Sequence, residues 1–153
     1  RDVLGSRGLG DVYKRQLMDT GGNSGSQACV SIIRGISLNE IEFRDLGRVV
    51  WKEIRVSVLC GVCLAVACFA KIIVVDMLLL KSESVTYLVA FVVCATMAVT
   101  VCLAKIVGST LPLLAKKLGF DPAVMASPII TTIVDFLSLL VYFAFATAIL
   151  GIG

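Results

Sequence analysis

The stretch PAVMASPIITTIVDFLSLLVYFAFATAIL, residues 122–150, contains no Lys or Arg and a single acid, Asp135. About 20 apolar residues suffice to carry a helix across the ~30 Å hydrocarbon core of a bilayer at ~1.5 Å per residue. A soluble core helix shows one apolar stripe, whereas this run is apolar on nearly every side. Asp121 followed by Pro122 predicts its start, an N-cap acid before a proline at the first helical position.

Working back from this run, residues 85–107, 54–75 and 17–36 form three more candidate spans. The composition agrees. Of 153 residues 58% are hydrophobic and 16% charged, with a mean hydropathy of +0.98, while soluble domains are about half apolar and about a quarter charged. The sequence therefore predicts an all-α integral membrane protein with four transmembrane helices, embedded in the lipid bilayer as a multi-pass chain. The span at 17–36 is the most polar, because Asp19, Thr20, Asn23, Ser24, Ser26 and Gln27 crowd its first half. Such a half is tolerated at membrane depth where it faces protein or a water-filled cavity. Lys71, near one end of the 54–75 span, has a stem long enough to snorkel to the interface.

The chain has no histidine, which removes imidazole general-base catalysis, His-activated nucleophiles, His-ligated zinc and proximal-His haem. No enzyme is expected. Its 14 basic and 11 acidic residues leave a net charge of +3, scattered between apolar runs, so no nucleic-acid partner is expected either. The six cysteines lie in apolar or small-residue stretches, where a thiol packs as a compact hydrophobe. Cys60 and Cys63 spell CGVC, a pattern of redox and soft-metal sites, but no second pair accompanies them and packing is the favoured reading.

Arg34, Arg44, Arg48, Lys52 and Arg55 lie around the first connection, and Lys105, Lys116 and Lys117 around the third, while the second has only Lys81. The positive-inside rule makes the first and third connections cytoplasmic, so the first span runs inward and the last ends outside. Residues 37–52 place Leu38, Ile41, Leu46, Val49 and Val50 among charges, the pattern of a short amphipathic helix on the cytoplasmic surface. Residues 1–16, RDVLGSRGLGDVYKRQ, lack the apolar core of a signal peptide. They resemble translated sequencing-adapter read-through and read as a non-native leader. Gly8-Leu9-Gly10-Asp11 matches the GxGD signature of intramembrane aspartyl proteases, but Arg7, Lys14 and Arg15 flank it, and that chemistry needs aspartates within membrane helices. A first span that enters from outside implies an earlier helix that is missing here.

Two polar stripes stand out. In the last span Ser127, Thr131, Asp135, Ser138 and Tyr142 follow at spacings of four, four, three and four, one helical face. Measured from Pro122, Asp135 lies about 20 Å along a helix, near mid-membrane. In the first span Asp19, Asn23 and Gln27 repeat at spacings of four, beside the small-residue pair Gly21 and Gly25. An intramembrane aspartate costs about 2.5 to 3.5 kcal/mol even on lenient insertion scales, so it faces a cavity, an ion or a partner. The competing reading is an internal ion pair of Asp135 with Lys105 or Arg34. Carboxylate, amide, hydroxyl and carbonyl oxygens suit hard cations such as Mg²⁺, Ca²⁺ or Mn²⁺, and accept Co²⁺ as well. A symmetric homodimer would bring two such carboxylates around one axis.

Three ordered motifs, GGNSGSQ at 21–27, LPLLAKKLGFDPAVMASP at 111–128 and ITTIVDFLSLLVYF at 130–143, closely resemble the MgtE-type magnesium channels. The resemblance covers about residues 17–153. It implies a dimeric pore domain of five helices per subunit, of which this chain would hold the last four. It also implies a cytoplasmic regulatory region with CBS domains, absent here, and a bacterial inner-membrane location. Carried over by motif, Asp135 resembles the pore carboxylate that binds hydrated Mg²⁺, and Asn23 a pore-lining residue. Asp19, Gln27, Ser127, Thr131, Thr132 and Ser138 are the further pore-lining candidates. Some family members carry Asn where Ser127 stands. Gly21, Gly22, Gly25 and Pro128 are candidates for close helix packing. The implied activity is passive Mg²⁺ conduction. Its rivals are a divalent cation exchanger coupled to Na⁺ or H⁺, a structural membrane subunit, and an enzyme using Asp19 and Asp135 as an acid pair, whose contact the spacing makes doubtful.

Overall fold

The structure is a computed structural model describing residues 2–74, 87–125 and 128–150. Four helices carry the fold: α1 Asp2–Ser37, α2 Leu46–Lys71, α3 Tyr87–Lys117 and α4 Pro128–Leu150. Single 3₁₀ turns, Phe43–Asp45 and Pro122–Met125, precede α2 and α4. Three segments are long and apolar enough to cross a membrane: Phe43–Val74, Tyr87–Lys117 and Pro128–Ile149. The fourth expected span, within α1, is helical but falls short on hydropathy, because its Gly, Ser, Asn, Gln and Asp residues dilute the apolar ones.

Two further expectations change. The last helix does not begin at Pro122: the Asp121 carboxylate accepts a hydrogen bond from the Ala123 N–H at 2.9 Å, capping the 3₁₀ turn instead. Then α4 opens at Pro128, a proline at a position where its missing amide costs nothing. No separate amphipathic helix forms over 37–52. Asn39 turns the chain with a left-handed φ of 56°, and α2 then starts at Leu46. The apolar residues of that segment are covered by protein instead of lipid: Ile41, Phe43, Leu46 and Val49 pack on Ile32, Ile36 and Leu113. α1 runs without a break across Gln16, and Tyr13, only 3% exposed, joins Leu17 in a core with Cys68, Ile72, Val93 and Met97.

The helices alternate in direction. Along α1, Gly21 meets Thr100 while Gly25 meets Ala104, so α1 and α3 run parallel. Glu53 pairs with Lys105 and Gly61 packs on Ala98, so α2 runs antiparallel to α3. At their far end the Cys68 and Cys94 thiols share a weak hydrogen bond. Gly21 meets Ser138 and Gly25 meets Ile130, which sets α4 antiparallel to α1. Of the three apolar helices α3 is the central one, with half of its apolar window buried against 22% for α2 and α4. The two connections expected on one side of the membrane do share one end of the bundle, where the Lys117 ammonium lies 4.1 Å from the Phe43 ring.

The tightest contact is between α1 and α3, where Gly25 and Gly108 face each other backbone to backbone. Either side chain would force the helices apart, as in the small-residue interfaces of membrane bundles generally. Pro112 lies one turn beyond Gly108 inside α3 and removes the amide that would serve the Gly108 carbonyl. Ser109 and Thr110 turn their hydroxyls back onto the Ile106 carbonyl at 3.0 and 2.7 Å, keeping these polar groups satisfied within the same helix turn.

Candidate cation site

The two polar stripes meet. α4 crosses α1 beside Gly22: a Cβ there would be in ordinary contact with Thr131 and 3.9 Å from the Asp135 carboxylate. Around this crossing Met18, Asp19, Gly22, Asn23, Thr131 and Asp135 line a cleft of about 180 Å³. All of its polar side chains are oxygen-bearing: two carboxylates, an amide and a hydroxyl. Asp19 and Asp135, whose contact the spacing made doubtful, line the same cleft. The cause is the late start of α4, which puts Asp135 seven residues, about 10 Å, from Pro128 and so level with Asp19 to Asn23 of the antiparallel α1. Asp135 lies seven residues from Pro128 and four from the middle of α4.

Thr131 and Thr132 both donate their hydroxyl hydrogens to the Pro128 carbonyl, at 3.0 and 2.8 Å. That fixes both side chains against the first turn of α4. Thr131 lines the cleft, whereas Thr132 is exposed and outside it. Ser138 also lies outside: it is 2% exposed, donates to the Val134 carbonyl at 2.6 Å and abuts Gly21. Ser127 falls outside the described residues.

A second, larger cleft of about 400 Å³ opens on the other side of α1, lined by Thr20, Asn23, Ser24 and Gln27 together with Cys60, Cys63, Leu64 and Lys105. Asn23 borders both clefts. Lys105 reads from sequence as a loop cation or a partner for Asp135, and it is neither. Its ammonium lies 3.6 Å from the Glu53 carboxylate, with both side chains about nine-tenths buried. Arg34 is exposed in the last turn of α1. The Glu53–Lys105 pair escaped the sequence reading because each charge sits near the edge of an apolar run, where loop charges are also found. Among the described residues no three Cys, Asp or Glu side chains cluster as a ready-made metal cage, and an ion held in the first cleft would keep much of its own water.

Helices of this length and apolarity define a multi-pass membrane protein, and an acid-bearing cleft lies between one of them, α4, and the more polar α1. Residues 16–145 match the family model MgtE, described as a divalent cation transporter. The chain is 34% identical over 127 residues to the magnesium transporter MgtE of Bacillus subtilis, covering 83% of this chain and 26% of that protein. It is 33% identical over 138 residues to the Thermus thermophilus protein of the same name, covering 90% and 29%, and 31% identical to that of Enterococcus faecalis, covering 89% and 28%. The chain belongs to the MgtE family of divalent cation transporters, a family of transporters and not of enzymes. It spans little more than a quarter of the length of these relatives.

Proposed function

We propose that residues 17–153 form the pore-bearing part of a magnesium channel, in which Asp135 binds a hydrated Mg²⁺ while it crosses the membrane. The single observation that carries this reading is the cleft where the α1 and α4 stripes meet, lined by two carboxylates, an amide and a hydroxyl. Mg²⁺ dehydrates reluctantly and is held by one or two carboxylates through retained water. The cleft of about 180 Å³ has room for several waters. Asp135 and Asp19 supply negative charge that favours a divalent cation over a monovalent one and repels anions. Asn23 and Thr131 offer oxygens to the ion's water shell. The relatives named above are called magnesium transporters, which favours Mg²⁺ over Mn²⁺ and Co²⁺ as the cargo.

In this reading the working unit is a homodimer in a bacterial inner membrane, with Asp135 of each subunit facing one axis. The connections at 38–45 and 118–127, flanked by Arg34, Arg48, Lys52, Lys116 and Lys117, face the cytoplasm, where a CBS-containing region of the longer protein regulates conduction. An inside-negative potential contributes about 4.6 kcal/mol per 100 mV to a divalent ion, twice the single-charge value, so conduction needs no other energy source. The test is Mg²⁺ uptake into proteoliposomes under an imposed inside-negative potential, comparing the wild-type chain, joined to the helix expected to precede it, with Asp135→Asn. The expected result is voltage-driven uptake that Asp135→Asn abolishes. Uptake that needs a Na⁺ or H⁺ gradient would replace the channel by an exchanger, and equal uptake by the variant would remove Asp135 from the path.

A further inference from the structure

The Glu53–Lys105 pair has no obvious reason to exist on stability grounds. A buried ion pair contributes about as much as two well-packed apolar side chains, because desolvation offsets the mutual attraction. Its placement is specific, however. Lys105 on α3 lines the cleft of about 400 Å³ that also holds Thr20, Asn23, Ser24 and Gln27 of α1. Glu53 on α2 lines a separate cavity of about 230 Å³ near the helix ends, with Ser31, Asp45 and Lys52. The pair therefore stands between two cavities, with its positive end toward the polar face of α1. A bare ammonium there would oppose any cation lying along Asn23 and Gln27.

We propose that this pair sets the cation affinity of the α1 polar face: Lys105 places a positive charge beside Asn23 and Gln27, and Glu53 masks it. This rests on the transport reading above and adds two residues that act on the ion through the field, without touching it. The masking is incomplete, because Glu53 approaches from the far side at 3.6 Å, so the cleft sees a dipole whose positive end is nearer. Such a dipole keeps cation binding on this face weak, which a conducting path needs if the ion is to leave again.

The two single neutralisations have opposite expected signs, which a purely structural role does not produce. Glu53→Gln unmasks the ammonium and raises the Mg²⁺ concentration for half-maximal uptake about tenfold. Lys105→Met leaves the carboxylate uncompensated and lowers it severalfold, with slower maximal uptake as ions leave less readily. The double variant Glu53→Gln/Lys105→Met returns close to wild type, and Lys105→Arg, which keeps the charge, stays there. These values are read from Mg²⁺ uptake in proteoliposomes. A second readout is the Mg²⁺ concentration that protects each variant from thermal aggregation in detergent. Shifts in the same direction for both single variants, or a double variant worse than either, would overturn the proposal. If the Mg²⁺ protection follows the expected order while no variant transports, the masking role stands and the transport reading falls. If Glu53→Gln does not fold, Lys105→Met decides: unchanged or weakened Mg²⁺ dependence refutes the masking role.

Discussion

Replacing Gly108 by Ala tests the packing on which both clefts depend. The added Cβ would overlap the Gly25 carbonyl and its carbon, and carbon and oxygen normally approach no closer than about 3.5 Å. Neither atom belongs to a flexible side chain, so α1 and α3 must separate by roughly an ångström. Overpacking of this kind costs about 1 to 3 kcal/mol, and a backbone obstacle argues for the upper half. Ala is favoured over Gly in a helix interior by about 1 kcal/mol, leaving a net loss of about 1 to 2 kcal/mol. For a chain of this size each kcal/mol moves the melting point by about 2 to 4 °C, so Gly108→Ala is expected to melt about 2 to 8 °C lower. Gly22 is the internal control, because its Cβ would meet Thr131 at 3.4 Å and the Asp135 carboxylate at 3.9 Å, ordinary contacts. Gly22→Ala is expected to melt within a degree or two of wild type or slightly higher. The assay is thermal unfolding of the purified protein in detergent, followed by tryptophan fluorescence from Trp51. Equal melting of Gly108→Ala and wild type, or a larger loss for Gly22→Ala, would refute the α1–α3 contact as described.

Thr100 is 2% exposed and its hydroxyl has no partner, the one such side-chain atom found among the described residues. Thr100→Val, which keeps the shape and removes the orphan, is expected to leave stability unchanged or raise it by up to about 1 kcal/mol in the same melting assay. Gly119 has a φ of +81° after the end of α3, so Gly119→Ala should cost roughly 1 kcal/mol or more through backbone strain alone. Cys63 is exposed while Cys29 and Cys94 are buried, so a maleimide added to the folded protein in detergent should label Cys63 first, as read by peptide mass spectrometry. Labelling of Cys29 at the same rate would contradict the packing of α1 on α3 and α4. Asp19 shares the cleft with Asp135, so Asp19→Asn is expected to reduce Mg²⁺ uptake by less than Asp135→Asn does, in the proteoliposome assay.

Much of the architecture follows from the order of residues. Apolar runs without charge dictate helices that seek a low-dielectric surround, since every backbone group must be satisfied within the segment. The stripes at Asp19, Asn23, Gln27 and at Thr131, Asp135 were legible for the same reason: a helix maps spacings of three and four onto one face. The family too was legible, because three ordered motifs survive across 130 matched residues, 16–145. The helix boundaries were not. Asp121-Pro122 is a sound local start signal, and the residues do form a capped turn there, but a second proline six residues later gives α4 its own start. In the same way the amphipathic pattern at 37–52 was real, yet its apolar side found Ile32, Ile36 and Leu113 instead of a membrane surface.

The sequence by itself determined the class of protein, the helical faces and the presence of one acid in the most apolar run, because these depend on local periodicity and transfer free energy. Only the tertiary structure decided which charges meet. Asp135 lies in a cleft with Asp19 because α4 starts at Pro128 and runs antiparallel to α1 across Gly22. Lys105 turned to Glu53 because α2 packs on the face of α3 that carries it. Pairings of this kind depend on register between helices far apart in the chain. That register is set by close contacts such as Gly25 against Gly108, and no periodicity within one helix encodes it.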